Sequence, residues 1–173
     1  MKKPSDEPDE LLAIEQLASP SPSQQRMDVL YMQQALQLAH QAGKLGEVPV
    51  GSVVIRDGEL LGTGMNRCVM NHDPSAHAEV LALREAGARA GSFRLDGATL
   101  YVTLEPCLMC CGALLQARIA RLVFGAREPG TGGVVSIHEA LRLPRVNHHV
   151  AISEGVRAND SKALLREFFQ SLR

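Results

Sequence analysis

Three side chains in two short stretches have the types and spacing of a metal centre. Cys107 and Cys110 stand three residues apart in Thr103-Leu104-Glu105-Pro106-Cys107-Leu108-Met109-Cys110-Cys111. On a helix, residues three apart share a face, so both sulfurs can converge on one ion. A helix N-terminus also favours thiolate over thiol, and thiolate is the form that binds metal. Two thiolates do not complete a zinc site. The third ligand is expected in His77-Ala78-Glu79, further up the chain.

A structural zinc is normally closed by four protein ligands, whereas a catalytic one keeps its fourth position for water. Cys111 follows Cys110 directly and turns away by about a quarter-turn or more on a helix. Cys68 and His72 lie in the loop before His77, and the sequence leaves both open as a fourth ligand. The site reads as open, and Glu79 as its proton carrier. Positions two apart on a regular helix point to nearly opposite sides. The zinc is therefore expected over the helix end rather than on its flank. There it would lower the pKa of a water from about 15.7 to about 7, so that hydroxide forms at neutral pH.

Several elements must position these groups. A strand over Ala98–Thr103 is expected to stop at Pro106 and a helix to start there, because proline tolerates the first helical turn. The His77 helix follows the start signals Asp73-Pro74-Ser75 and runs through Val80 and Leu83 to about Ala90, with Gly91 as terminator. Before it, strands Val50–Ile55 and Leu60–Met65 join across Asp57-Gly58, a two-residue hairpin signal. Gly62 and Gly64 weaken the second strand but permit close backbone approach. Asn66 and a loop then lead to Ser75. A first helix from about Gln25 buries Met32, Ala35, Leu36 and Ala39 and stops near Gly43. Beyond the metal motif come a strand at Leu122–Phe124, a glycine-rich loop, a helical segment near Ile137–Leu141 and a strand at Val150–Ser153. A closing helix from about Val156 carries Phe168 and Phe169. Helices alternating with strands imply parallel crossovers on a sheet covered on both faces.

With 173 residues the chain suits one domain. Aromatics at 3% and no Trp point to an aliphatic core. Cys68 and Cys111 form no convincing disulfide pattern, which suits a reducing compartment, and no apolar run reaches membrane-spanning length. A cytoplasmic protein is expected. Residues 1–24, rich in Pro, Ser and acidic residues, read as a disordered tail with one apolar patch at Leu11–Leu17; residues 25–173 form the domain. The first 22 residues carry five acidic side chains against two lysines, leaving a net +2 on the rest. That balance is mildly basic, and mostly arginine, whose planar fork suits phosphates.

His-x-Glu paired with Pro-Cys-x-x-Cys is the signature of zinc nucleobase and nucleoside deaminases. Further stretches resemble the bacterial tRNA-specific adenosine deaminases of the TadA type. They are Glu47-Val48-Pro49-Val50-Gly51, Asn66-Arg67, His72 to Glu79, Thr103 to Cys110 followed by Gly112-Ala113, Val123 to Arg127, Asn147-His148 and Phe168-Phe169. The resemblance runs from about Met27 to the C-terminus. It implies an α/β protein, a cytidine-deaminase-like three-layer α/β/α sandwich around a five-stranded mixed sheet, and a homodimer. It also implies one zinc per chain and conversion of adenosine to inosine at the wobble position of a tRNA anticodon stem-loop.

Carried onto this sequence, His77, Cys107 and Cys110 hold the zinc and Glu79 shuttles protons between water, N1 of the adenine and the leaving ammonia. Asn66 binds the target nucleotide, and Ala78 and Pro106 line its pocket. Where relatives often carry Asp, this chain has Glu128, whose extra methylene changes the reach of a carboxylate toward the nucleotide's sugar. Arg127, Arg145, His148, His149 and Lys162 are candidate RNA contacts. Two other readings compete. One is a deaminase of free guanine, cytosine or nucleosides; the other is a non-catalytic zinc-bearing subunit that binds RNA or a partner, which would have no need of Glu79.

Overall fold

The computed structural model describes residues 20–144 and 148–173; the Leu11–Leu17 patch, Arg145 and Asn147 lie outside them. The first helix, α1 (Pro22–Lys44), starts three residues before the expected Gln25. Ser21 is its cap, the hydroxyl accepting from the Gln24 N–H at 3.2 Å, and Pro22 takes the first helical position, where no N–H is needed. Strands β1 (Gly51–Arg56) and β2 (Glu59–Met65) form the expected hairpin. Asp57 and Gly58 both sit in the left-handed region, at φ 53° and 80°, as the tight two-residue turn requires.

Asn66 to Ser75 is not all loop. A short helix, α2 (Cys68–Asn71), interrupts it. Its cause lies upstream, where the buried Glu47 carboxylate accepts from the Val69 and Met70 N–H groups at 3.2 and 2.8 Å. Then follow α3 (Ala78–Ala90), β3 (Thr99–Leu104), α4 (Leu108–Gln116), β4 (Arg121–Ala126), β5 (Ala151–Glu154) and α5 (Ala158–Ser171). The helical segment expected near Ile137–Leu141 shrinks to a single 3₁₀ turn over Ala140–Arg142.

The five strands form one mixed sheet in the order β2-β1-β3-β4-β5. β1 is antiparallel to both neighbours, and the β3–β4 and β4–β5 pairs are parallel. Side chains alternate across the sheet and divide the core in two. Val53, Ile55, Tyr101 and Val123 face α1 and α5 together with Met32, Ala35 and Leu36. Val54, Leu100, Val102, Leu122 and Phe124 face α3 and α4. This is the three-layer α/β/α sandwich. Two glycines set how closely α3 lies on it. A Cβ on Gly64 would stand 2.0 Å from the Ala78 carbonyl oxygen, and one on Gly62 2.3 Å from that of Ala82. The N-terminus of α3 thus rests directly on the β2 backbone.

On the other face a buried ion pair ties α1 to the sheet. Arg121 donates to both Asp28 carboxylate oxygens at 2.7 Å, and Tyr101 donates to Oδ1 at 2.9 Å. Burial alone would raise the Asp28 pKa; the hydrogen bonds from Arg121, Gln24 and Tyr101 outweigh it and hold it below the ordinary 3.8. A lowered carboxyl stabilises the fold above its unfolded pKa and loses that contribution as pH falls through the folded value. Arg121→Met leaves a buried charge unpaired, and a loss of about 3–5 kcal/mol is expected at pH 7. The deficit should shrink below about pH 4 as Asp28 takes up a proton. Denaturant unfolding at both pH values checks this, and an equal deficit at each would contradict the assignment.

Candidate active site

The two halves of the metal motif meet at the N-termini of α3 and α4. His77 is the residue before α3, in extended conformation at φ −71°, ψ 150°, and Cys107 is its counterpart before α4, at φ −74°, ψ 173°. His77 therefore escapes the helical constraint that would set it opposite Glu79, and stands at the end of α3 rather than on its flank. Pro106 does not open α4; it precedes the cap, and its carbonyl accepts from the Gly133 N–H at 2.8 Å.

The ligand atoms fit zinc. Cys107 Sγ and Cys110 Sγ are 3.7 Å apart, and each lies 3.6 Å from His77 Nδ1. A tetrahedral ion with Zn–S of about 2.3 Å and Zn–N of about 2.0–2.1 Å separates its ligands by about 3.8 Å (S···S) and about 3.6 Å (S···N). Among the described residues these three form the one such group. Cys68 and His72 do not join it. Cys111 is fully buried in the core, its sulfur 3.9 Å from the Pro106 carbonyl oxygen and beside Gly133. The site offers three protein ligands and one open position.

The electrostatics suit the chemistry. Hydrogen bonds with Cys110 and then His77 hold the Cys107 thiol below its ordinary pKa, which favours the thiolate. Glu79, in the first turn of α3, is 4% exposed and hydrogen-bonds Cys110. Burial pushes its carboxyl up, against the pull of its own backbone N–H and of His77. A carboxyl so placed takes a proton more readily than an exposed one.

Asn66 follows β2 directly. Its Oδ1 accepts from the Ala78 N–H at 2.9 Å, satisfying one of the unpaired donors at the start of α3. That bond orients the amide and leaves the Nδ2 donor for a ligand. Asn66 thus ends the strand and holds the start of α3. Ala78 contributes its backbone here, since its methyl is fully buried in the core.

The remaining candidates divide by position. The metal ligands lie beyond the C-terminal end of β3. Arg127 and Glu128 follow β4 at the same end, but both are engaged. Arg127 makes two 2.6 Å bonds to Glu154, and Glu128 Oε1 accepts from the Gly130 N–H at 2.8 Å. Lys162, exposed on the first turns of α5, lies at this end too. His148 does not. Its Nε2 bonds the Ile119 carbonyl at 2.7 Å, before the start of β4, so His148 and its neighbour His149 stand at the opposite end of the sheet. The physical reason is the parallel β4–β5 pairing, which sets the approach to β5 beside the approach to β4.

Sequence reasoning assigned no role to Glu105, between β3 and Pro106. The structure buries it, with five hydrogen bonds converging on its carboxylate. Burial raises its pKa, but the bonds from Ser136, Val135 and Glu128 outweigh that and keep it lowered. No local pattern announces this, because every donor lies 23 or more residues away.

Comparison with known proteins agrees with this geometry. Residues 27–173 match the MafB19-like deaminase family. The tRNA-specific adenosine deaminase of Haemophilus influenzae is 44% identical over 147 residues, 84% of this chain and 85% of that protein. The Bacillus subtilis tRNA-specific adenosine deaminase is 40% identical over 146 residues, 84% and 91% of the two chains. Among solved structures, a tRNA:A34 deaminase that edits A to I at the wobble position superposes with a TM-score of 0.77 at 40% identity, covering 79% of this chain and 99% of that one. The guanine deaminase of Bacillus subtilis superposes less closely, with a TM-score of 0.57 at 31% identity over 72% and 82% of the chains. On the strength of these likenesses, this chain belongs to the tRNA-specific adenosine deaminase family of MafB19-like deaminases.

Proposed function

We propose that this protein converts adenosine to inosine at the wobble position of a tRNA anticodon, hydrolytically and with one zinc ion per chain. The observation that carries the reading is the open site itself: three converging ligands and a buried carboxylate, set at two helix N-termini. A zinc ion held by His77, Cys107 and Cys110 would supply hydroxide from a water at neutral pH. Glu79 accepts the proton released by that water and delivers one to N1 of the adenine. The same carboxylate then takes the proton of the new C6 hydroxyl and delivers it to the departing amine as C6 becomes a carbonyl, so one residue serves each transfer. Asn66, oriented by Ala78, offers its amide to the flipped nucleotide.

Features of the surface support the partner and the assembly. Arg127, Glu128 and Lys162 flank the metal end of the sheet and are the candidate contacts to the stem-loop; with a net charge of only +2 outside the first 22 residues, the attraction is local. A homodimer is supported by an apolar groove of about 540 Å³ between α3 and α4, lined by Val80, Leu83, Phe93 and Ala113. Phe93 is 71% exposed there, a large apolar side chain that a second copy would cover. Among the described residues no helix is long and apolar enough to cross a membrane, and a tRNA substrate suits a cytoplasmic protein.

The likeness to guanine deaminase keeps free bases as the second reading. Deamination should be measured as inosine from an anticodon stem-loop bearing a wobble adenosine and from free adenosine, and as xanthine from free guanine. The stem-loop is expected to be the substrate. Its rate at limiting substrate should fall as salt rises, with a log–log slope of about −0.7 for each single-stranded phosphate neutralised. Deamination of guanine with none on the stem-loop would decide for the second reading.

A further inference from the structure

The zinc ligands are held by two helix ends, but the wall beside them is a loop with no regular structure. It runs from Arg127 to Glu139 and carries Glu128 and three glycines. Three observations explain how it stays in place. First, the N–H groups of Val134, Val135 and Ser136 all point at Glu105 Oε1, at 3.1, 2.8 and 2.9 Å. Successive N–H groups in this arrangement make an anion-binding nest, and here the anion is the protein's own carboxylate. Second, Glu105 Oε2 accepts from the Glu128 N–H at 3.0 Å and from the Ser136 hydroxyl, so one side chain pins both ends of the loop. Third, the loop lies against the metal ligands' own backbone. Gly132 pairs with Cys107 as an isolated antiparallel bridge, and the Gly133 N–H donates to Pro106. The fit leaves no slack. A Cβ on Gly132 would stand 2.5 Å from the Glu105 carboxyl carbon, and one on Gly133 2.9 Å from the backbone of Cys107.

Glu105 precedes Cys107 by two residues and is 3% exposed. It faces away from solvent. Its partners are all on the loop. We propose that Glu105 is a positioning residue for the deamination: its carboxylate locks the Glu128–Ser136 loop against Pro106 and Cys107, and so fixes the nucleotide-facing wall at a set distance from the metal. The inference rests on the functional reading above for what the wall contacts, but not for how the wall is held.

The chemistry of the side chain makes this testable. Five donors need an acceptor-only group, and a carboxylate offers about four lone-pair sites on two oxygens. Glu105→Gln keeps the shape but replaces one oxygen with a donor that opposes either the Glu128 N–H and Ser136 hydroxyl or the three N–H groups of the nest. The variant should keep one zinc per chain. Amide hydrogen exchange at Glu128 and at 134–136 should rise by tenfold or more, while exchange in β1, β3 and β4 stays at wild-type rates. Turnover of the stem-loop by zinc-loaded protein should fall about 10- to 100-fold, as displacement of a positioning wall by about 1 Å can do.

Ser136→Ala removes one of the five bonds without burying a new donor, and it should shift loop exchange and turnover in the same direction by a smaller factor. It also serves if Glu105→Gln does not fold. Wild-type exchange at 134–136 in a zinc-replete, folded Glu105→Gln protein would overturn the proposal. So would full turnover per folded molecule, which would leave Glu105 a stabilising residue only. Inactivity of the wild-type protein on the stem-loop would count against the functional reading, whereas exchange, measured without substrate, decides the loop-holding role by itself.

Discussion

Replacing Glu79 with Gln is expected to leave fold and zinc intact and to lower turnover by at least about 10²–10⁴, the contribution typical of a general acid–base group. The loss can exceed that range because one carboxyl serves successive proton transfers. The substitution preserves volume in a site where Glu79 is 4% exposed, and an amide can still hydrogen-bond Cys110. It removes only the ability to carry a proton. Glu79 is outside the metal-ligand group, so zinc content should stay at about one per chain. Metal analysis and single-turnover deamination on the same preparation make the measurement. Near-normal turnover in zinc-replete Glu79→Gln would end the assignment of Glu79 as proton carrier.

Loss of a ligand should be more severe. In Cys107→Ala, Cys110→Ala or His77→Ala, two ligand atoms remain of the three that form the group. Each variant is expected to lose its zinc on dialysis and with it all measurable deamination. Cys68→Ser and Cys111→Ala provide the contrast and should both hold zinc. Cys68 is outside the ligand group, and Cys111 points into the core beside Gly133. Cys111→Ala should lower stability modestly, since it deletes a buried sulfur. Zinc loss from either control would mean that the site is closed by a fourth protein ligand, and a closed site has no position for water.

These expectations draw on two kinds of information that the chain carries differently. The motif was legible because its logic is local. His77-x-Glu79 and Pro106-Cys107-x-x-Cys110 each sit at one helix start, and helix starts are written in a few neighbouring residues. The Asp57-Gly58 hairpin, the stop of α3 at Gly91 and the periodic burial of Met32, Ala35, Leu36 and Ala39 are legible for the same reason. Even the small errors were local. Ser21-Pro22 moves the start of α1 by three residues, and Cys107 caps α4 where Pro106 was expected to begin it.

What the sequence did not show was which distant groups would meet. Asp28 and Arg121 are 93 residues apart, Glu105 and Ser136 are 31 apart, and Glu47 caps a helix more than 20 residues on. Nothing near either member of such a pair announces the other. The strand order β2-β1-β3-β4-β5 decides them, by setting β4 beside β3 and the start of α1 beside both. The same order sends His148 to the far end of the sheet, although it neighbours Asn147 in a stretch that resembles RNA-binding relatives. The sequence by itself determined the chemistry, because metal and proton ligands are specified by residue type at short spacing. The tertiary structure alone decided what holds that chemistry in place, because buried carboxylates such as Glu105, Glu47 and Asp28 find their donors only after the chain has closed around them.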